Sequence, residues 1–130
     1  MRVIKCRKIS TGRAEGLSLF SPAPISFFGT IDPLTSEVIE KNHPLYGQRI
    51  ADKILIYPTG KGSTAGSYIL YGLSRRGLAP KAIIMKEAEP IVAVGAIMAD
   101  IPLVDRPESF DFRSGLHIIV DAERGEIIIT

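Results

Sequence analysis

The chain has 130 residues, of which 45% are hydrophobic and 23% are charged, so we expect one domain, residues 1–130, with a buried core. Its net charge is +2, from 16 basic and 14 acidic residues spread along the chain, which argues against a nucleic-acid-binding protein. The single cysteine, Cys6, excludes an internal disulfide and cannot alone hold a metal cluster. We therefore expect a reducing, cytoplasmic setting, with neither a signal peptide nor a membrane-spanning segment.

Strands and loops are predicted for the first fifty residues, without a convincing helix. Residues 2–9 and 14–20 have strand character, and Gly16 is a candidate β-bulge in the second of them. Pro22 and Pro24 follow, and they break the sheet because proline lacks a backbone N–H donor. A short strand is expected at residues 37–40, after a turn.

Strands alternate with helices in the second half of the chain. The predicted elements are a strand at 53–57, a helix ending at Arg76 and stopped by Gly77, a strand at 82–85, an apolar helix at 91–99 opened by Glu89 and Pro90, a strand at 101–104, and a hairpin of 116–121 with 126–130. Because β–α–β units connect parallel strands, we predict an α/β fold with a β-rich N-terminal half and a mostly parallel central sheet with flanking helices. The helix at 91–99 is apolar on every side, which is typical of a helix that is buried or covered by a partner.

A glycine-rich loop, GKGST at residues 60–64, joins the strand at 53–57 to the following helix. A strand, a glycine loop and a helix N-terminus bring free backbone N–H groups together, and these groups favour an anion or a side-chain oxygen that carries negative charge. Ser63 occupies this point. Its alkoxide could be stabilised by the N–H groups of Gly62, Thr64 and Ala65, each worth about 3 kcal/mol when well placed, and Lys61 could add positive charge.

The loop has three other possible interpretations. It is not a Walker A loop, because Gly62 follows Lys61 where serine or threonine is required. It comes close to a dinucleotide fingerprint, in which Glu87 or Glu89 would bind a ribose, although the third glycine, Gly66, comes one residue late. It could also be a packing turn. The hydroxyls of Thr59, Ser63, Thr64 and Ser67 favour a functional site, since packing needs none of them.

Five segments, in their order and spacing, resemble the swivel domain of the aconitase X family. They are PISFFG at 24–29, DPLT at 32–35, HPLYG at 43–47, GKGST at 60–64 and APKAII at 79–84. The resemblance extends from about Gly12 to Val104. The family pattern has tryptophan at the position of Phe28 and glycine at the positions of Thr30 and Ser36.

The resemblance implies a swivelling β/β/α domain, as in the mobile domain of aconitase, that forms the small subunit of a hydro-lyase. It implies a heterodimer, or a higher assembly, with a large subunit that carries a [4Fe–4S] cluster on three cysteines, so that no metal is bound by this chain. The most similar archaeal members dehydrate (R)-mevalonate 5-phosphate to trans-anhydromevalonate 5-phosphate, a step toward isoprenoids. Other members dehydrate cis-3-hydroxy-L-proline. A non-catalytic module that binds a phosphorylated metabolite or a dinucleotide is the alternative of another class.

The expected site places the family's serine base at Ser63 and takes Lys61, Gly62, Thr64 and Ser26 as residues that bind a small phosphorylated substrate. Elimination needs a Lewis acid at the C3 hydroxyl, supplied by the open iron of the partner, and a base for the C2 proton. For Ser26 itself, a hydrogen bond to the loop is the expected role in preference to a contact with substrate.

Several further residues have structural interpretations that we prefer. His43 is expected to be a surface histidine at a turn, and His117 a structural residue of the final hairpin. Cys6 is expected to be a half-buried strand residue. Phe27 and Phe28 are candidates either for the core or for an interface patch.

Overall fold

Eight strands form one mixed sheet in the computed structural model, which describes residues 1–130. The elements are β1 Arg2–Lys5, β2 Arg7–Ser10, β3 Arg13–Phe20, α1 Phe27–Thr30, β4 Ile54–Tyr57, α2 Gly66–Arg75, β5 Ala82–Met85, α3 Pro90–Met98, β6 Leu103–Asp105, β7 His117–Asp121 and β8 Glu126–Ile129. α1 is an irregular turn and not a regular helix, because Phe28 and Gly29 within it depart from helical backbone angles. No helix has the length and apolar character needed to cross a membrane.

The strand order is β1-β8-β7-β3-β4-β5-β6-β2. The four central strands β3, β4, β5 and β6 are parallel, whereas the outer pairs are antiparallel. The first and last strands of this order are joined through Cys6 alone, so the chain links both edges of the sheet and the sheet curves toward closure. The predicted α/β fold with parallel central strands is confirmed.

Alternating side chains of the central strands divide the interior into two cores. On β4, Ile54 and Ile56 pack against the β7–β8 hairpin side, where Ile118, Val120 and Ile127 are buried. Leu55 and Tyr57 point to the opposite face. There they meet the helices through residues that include Leu70, Leu73, Val92 and Ala96. Because both faces are covered, β4 and β5 are continuous apolar runs, as parallel strands usually are.

Helix α2 buries one apolar side against the sheet. Leu70 and Leu73 are fully buried and Ile69 packs against the same core at the helix edge. The helix ends at Arg75, and Gly77 adopts φ +72°, a left-handed conformation that glycine accepts at a helix end without steric cost. The predicted stop is therefore confirmed, although the helix begins only at Gly66, later than the glycine loop alone suggested.

Helix α3 begins with Pro90 and is capped by Glu89. The carboxylate of Glu89 accepts hydrogen bonds from the N–H groups of Ile91 at 2.7 Å and Val92 at 3.1 Å. Gly95 lies against α2, where a β-carbon would stand 3.1 Å from the α-carbon of Ser67. One side of α3 is thus buried, while its outer residues Val94, Ile97 and Met98 are exposed.

Three predicted features of the N-terminal half are wrong in detail. The strand expected at 2–9 is two strands, because at Cys6 the chain leaves the edge of β8 and continues along β6. Gly16 pairs with Ile118 in unbroken register and forms no bulge; the irregularity lies in β2, between Lys8 and Ser10. Residues 37–40 make only isolated bridges, since their partners at Ile31 and Arg49 lie on different short segments.

His43 is buried, which corrects the expectation of a surface histidine. Its Nδ1 accepts a hydrogen bond from the Leu45 N–H at 3.1 Å, and its Nε2 lies 3.1 Å from the Pro24 carbonyl oxygen and donates to it. His43 therefore connects two loops. His117 has structural contacts at the hairpin end, with Nδ1 2.8 Å from Thr130 Oγ1 and Nε2 3.1 Å from Glu15 Oε2.

Candidate active site

The loop that carries Ser63 leaves the carboxyl end of β4, at the edge where parallel α/β sheets usually bind their ligands. A parallel bridge between Ile25 and Gly60 holds its first half. The Ile25 N–H donates to the Thr59 carbonyl at 3.3 Å, and the Lys61 N–H donates to the Ile25 carbonyl at 3.3 Å. The base of the loop is therefore fixed by the segment that precedes α1.

Two glycines of the loop allow close contacts. A side chain at Gly60 would overlap the carboxylate of Glu89, and a β-carbon at Gly62 would lie 3.1 Å from Ser26 Oγ. The loop consequently packs against the N-terminus of α3 on one side and against Ser26 on the other. Ser63 itself is exposed.

The hydroxyl of Ser63 accepts a hydrogen bond from the Ala65 N–H at 3.0 Å. The N–H groups of Gly62, Ser63 and Thr64 donate to no other group of the protein. A donor aimed at a hydroxyl oxygen stabilises that oxygen when it carries negative charge, and the N-terminus of α2, at Gly66, adds the positive end of the helix dipole. The loop thus directs one donor at Ser63 Oγ and leaves three further N–H groups free nearby.

A cavity of about 290 Å³ opens beside Ser63. Ser26, Gly62, Ser63 and Glu89 supply polar groups to it, and the apolar part of its wall is formed by Ile25, Phe27, Ile91 and Val92. The Ser26 hydroxyl donates to the Phe28 carbonyl at 2.6 Å. Ser26 therefore hydrogen-bonds within its own loop, as expected. Ser26 also lines the cavity.

A second concavity, of about 340 Å³, also borders Ser63. It shares Ser26, Lys61, Gly62 and Ser63 with the first, and adds Phe28, Gly29, Thr30 and Glu40. The ammonium of Lys61 is 3.0 Å from Glu40 Oε2. The positive charge that the sequence suggested for Ser63 is therefore paired with a carboxylate.

Thr64 is the one predicted site residue that lies away from the others. It lines neither concavity and instead borders a shallow groove between α2 and α3, with Tyr68, Ile91, Val94 and Met98. Ser26, Lys61, Gly62 and Ser63 are brought together. The groove carries exposed apolar side chains next to the cavity.

Glu40 and Thr30 are parts of the site that no sequence pattern indicated. The hydroxyl of Thr30 donates to Glu40 Oε1 at 2.6 Å. This hydrogen bond and the ion pair with Lys61 lower the pKa of Glu40, so its carboxylate is charged at neutral pH. The only sequence signal for Thr30 is that the family pattern has glycine at this position.

Tyr57 lies fully buried at the end of β4, and its hydroxyl has no hydrogen-bond partner within the protein. Burial raises the pKa of Tyr57, and the negative charge of Glu89 raises it further. Its ring packs edge-on against Phe27, with ring centroids 6.4 Å apart. Phe27 is thus a core residue, whereas Phe28 is exposed at the second concavity.

The acidic residues that a dinucleotide site would use have other partners. Glu87 forms a bidentate ion pair with Arg106, with both N–O distances at 3.0 Å, and Glu89 caps α3. No group of three or more histidine, cysteine, aspartate or glutamate side chains converges anywhere in the chain. Cys6 is half-buried, and burial raises the pKa of its thiol to about 11.

Comparison with known proteins identifies the family of this chain. The family described as the aconitase X swivel domain matches residues 3–129. The phosphomevalonate dehydratase small subunit of Methanothrix thermoacetophila is 52% identical over 97% of this chain and 93% of its own length, and that of Thermococcus sibiricus is 50% identical over 95% of each. The crystal structure of Thermococcus kodakaraensis aconitase X in its holo form superposes with a TM-score of 0.97 at 48% identity, covering 100% of this chain and 99% of that one. The chain belongs to the aconitase X swivel-domain family.

Proposed function

We propose that this chain is the small subunit of a phosphomevalonate dehydratase. This hydro-lyase removes water from (R)-mevalonate 5-phosphate and yields trans-anhydromevalonate 5-phosphate. Support comes from the relatives of that name, which match nearly the whole chain at about half identity. The observation that carries the proposal is Ser63, exposed on its loop with a backbone N–H directed at its hydroxyl oxygen.

Ser63 Oγ is the proposed acceptor of the C2 proton. The electron pair of the C2–H bond forms the C2–C3 double bond, and the C3–O bond breaks as the hydroxyl leaves. A serine hydroxyl is normally too weakly acidic to serve as a base, so the Ala65 N–H and the free N–H groups of Gly62 and Thr64 are assigned the task of stabilising its charged form. Lys61, Gly62 and Ser26, which line the concavities beside Ser63, are proposed to bind the substrate. Thr64 lines neither concavity, so its proposed part is limited to its backbone N–H next to Ser63.

The iron–sulfur cluster of the proposed enzyme is assigned to the large subunit. This chain offers it no ligand set, because Cys6 is its single cysteine and lies half-buried between β1 and β2. In the partner, an open iron of a [4Fe–4S] cluster would act as the Lewis acid for the leaving hydroxyl. The proposal therefore includes a heterodimer, or a higher assembly, with the large subunit. In it, residues 1–130 form one swivelling domain that faces the large subunit. The complex is proposed to be cytoplasmic.

Co-expression with the large subunit tests this function. The purified complex is assayed with (R)-mevalonate 5-phosphate and, in parallel, with cis-3-hydroxy-L-proline, the substrate of other family members. The proposal predicts turnover of the first compound. Turnover of cis-3-hydroxy-L-proline alone would reassign the substrate, and a colourless isolated chain that binds NAD(P) tightly would support a binding module instead.

A further inference from the structure

We propose that Glu40 is a positioning residue, which holds the ammonium of Lys61 at the cleft so that Lys61 binds an anionic oxygen of the substrate. This inference rests on the proposed function. The two residues are 21 positions apart in the chain, and their side chains meet at the wall of the second concavity beside Ser63.

Glu40 is itself held in place from the interior. Its Oε1 accepts the hydroxyl of Thr30 at 2.6 Å, and Thr30, only 1% exposed, also accepts the Ser26 N–H at 3.2 Å. One oxygen of this partly exposed carboxylate is therefore held by a buried residue.

Lys61 lacks such constraints of its own. Its side chain is 46% exposed. A lysine side chain has four rotatable bonds, so its ammonium can adopt many positions. Pairs as exposed as this one contribute little to stability, so a fixed carboxylate here is better explained by the position it gives the ammonium than by the stability it adds. The pair therefore directs the cation toward the concavity.

The ammonium keeps donors for a ligand. A lysine ammonium has three N–H donors, and Glu40 Oε2 is the only acceptor that Lys61 Nζ has within the protein. Two donors remain for an oxygen of a carboxylate or a phosphate. Lys61 therefore need not leave Glu40 to bind the substrate, and Glu40 need not touch the substrate to affect its binding.

Steady-state kinetics of the purified two-subunit complex test the inference. Glu40→Gln keeps the shape of the side chain and an oxygen for the Thr30 hydroxyl, but replaces the acceptor of Lys61. We expect KM for mevalonate 5-phosphate to rise about tenfold, with kcat within about twofold of wild type, because the lost interaction is made equally before and during the reaction. Glu37→Gln is the matched control, since Glu37 lies on the same segment and its carboxylate accepts no hydrogen bond.

A double-mutant cycle separates positioning from other roles. In a Lys61→Ala complex, adding Glu40→Gln should change KM by less than about twofold, because Glu40 acts through Lys61. Inhibition by unphosphorylated mevalonate then identifies the bound group: weakened inhibition in Glu40→Gln assigns Lys61 to the carboxylate, and unchanged inhibition assigns it to the phosphate.

The outcomes distinguish this inference from the proposed function. An unchanged KM in Glu40→Gln, or a full additional effect in the Lys61→Ala background, would overturn the inference while wild-type turnover stands. A lower melting temperature with unchanged kinetics would also overturn it, because the pair would then only connect two loops. Absence of wild-type turnover would refute the proposed function itself.

Discussion

The backbone N–H of Ala65 donates to Ser63 Oγ across 3.0 Å, from the residue immediately before α2. A serine bonded to the N–H two residues ahead is a common turn, and here that turn aims a donor at the proposed base. The same bond orders the loop and favours negative charge on the hydroxyl oxygen. Its chemical role can therefore be tested by removing the donor and checking that the loop still folds.

Ala65→Pro removes this donor, but it also restricts Thr64, because Ala65 is the third residue of a turn that the Gly66 N–H and the Ser63 carbonyl close at 3.2 Å. Ala65 has φ −64°, the value that proline fixes, and its carbonyl continues to accept from Tyr68 and Ile69. We expect kcat of the complex to fall about 10²-fold, the usual cost of one donor at a developing anion. The melting temperature is the control. A variant that folds normally and keeps the wild-type kcat would remove the Ala65 N–H from the mechanism.

Alanine substitution at two glycines of the helices should have opposite effects on stability. Gly95→Ala places a β-carbon 3.1 Å from the Ser67 α-carbon and 3.3 Å from its carbonyl oxygen, so α2 and α3 must separate, at a cost of about 1–3 kcal/mol. Gly72→Ala meets only the flexible end of Arg76 and should stabilise α2 by about 0.5–1 kcal/mol. Urea unfolding of the two variants measures both effects, and destabilisation by Gly72→Ala would contradict the packing described here.

Ser36→Gly should stabilise the chain. Ser36 is buried, adopts φ +63°, and its hydroxyl has no hydrogen-bond partner. Glycine, which the family pattern has here, removes both the left-handed strain and the unpaired hydroxyl, a gain of about 1–2 kcal/mol. Ser36→Ala is the informative comparison because it removes only the hydroxyl. Equal stability of the two variants would mean that the backbone conformation carries no cost.

Asp105 should make stability depend on pH in the acid range. Burial raises the pKa of this fully buried carboxyl, but the bidentate pair with Arg7, with both distances at 2.8 Å, and the Ala88 N–H outweigh burial and lower it overall. A pKa lower in the folded state than in the unfolded state gives stability that is full above the ordinary aspartate pKa, about 4. That stability is lost as the pH falls through the depressed folded value.

The free energy of unfolding, measured from neutral to acid pH, checks this expectation. Asp105→Asn should be less stable than wild type at neutral pH by about 3 kcal/mol, because the pair with Arg7 is broken. The difference between the two proteins should shrink as the pH falls through the folded pKa of Asp105. A constant difference across the acid range would show that Asp105 contributes through packing alone.

Signals confined to a few adjacent residues were predictable from the sequence. The strand at 82–85 has the predicted bounds, because a short apolar run between turn residues indicates a buried strand. The start of α3 follows from Glu89 and Pro90, and the end of α2 from Gly77, since caps depend on one or two residues. The position of Ser63 on its loop follows from the same kind of local pattern.

Features that depend on distant residues were not predictable. The chain passes from one sheet edge to the other at Cys6 because β8 and β6 lie there, and these strands begin only at Glu126 and Leu103, far along the chain. The burial of His43 depends on the Pro24 carbonyl, 19 residues away. Glu40 reaches the site only through Lys61 and Thr30, and a single sequence contains no periodicity that links these three residues.

The most direct measurement of the central claim is the kcat of a purified Ser63→Ala complex with the large subunit. Loss of a general base predicts a decrease of about 10²- to 10⁴-fold in the dehydration of (R)-mevalonate 5-phosphate, with assembly and melting temperature unchanged. Ser67→Ala, which removes a hydroxyl that donates to the Ile91 carbonyl at 2.6 Å, should lower stability and leave kcat close to wild type. A Ser63→Ala complex that dehydrates the substrate at a near-normal rate would contradict the assignment of Ser63 as the base.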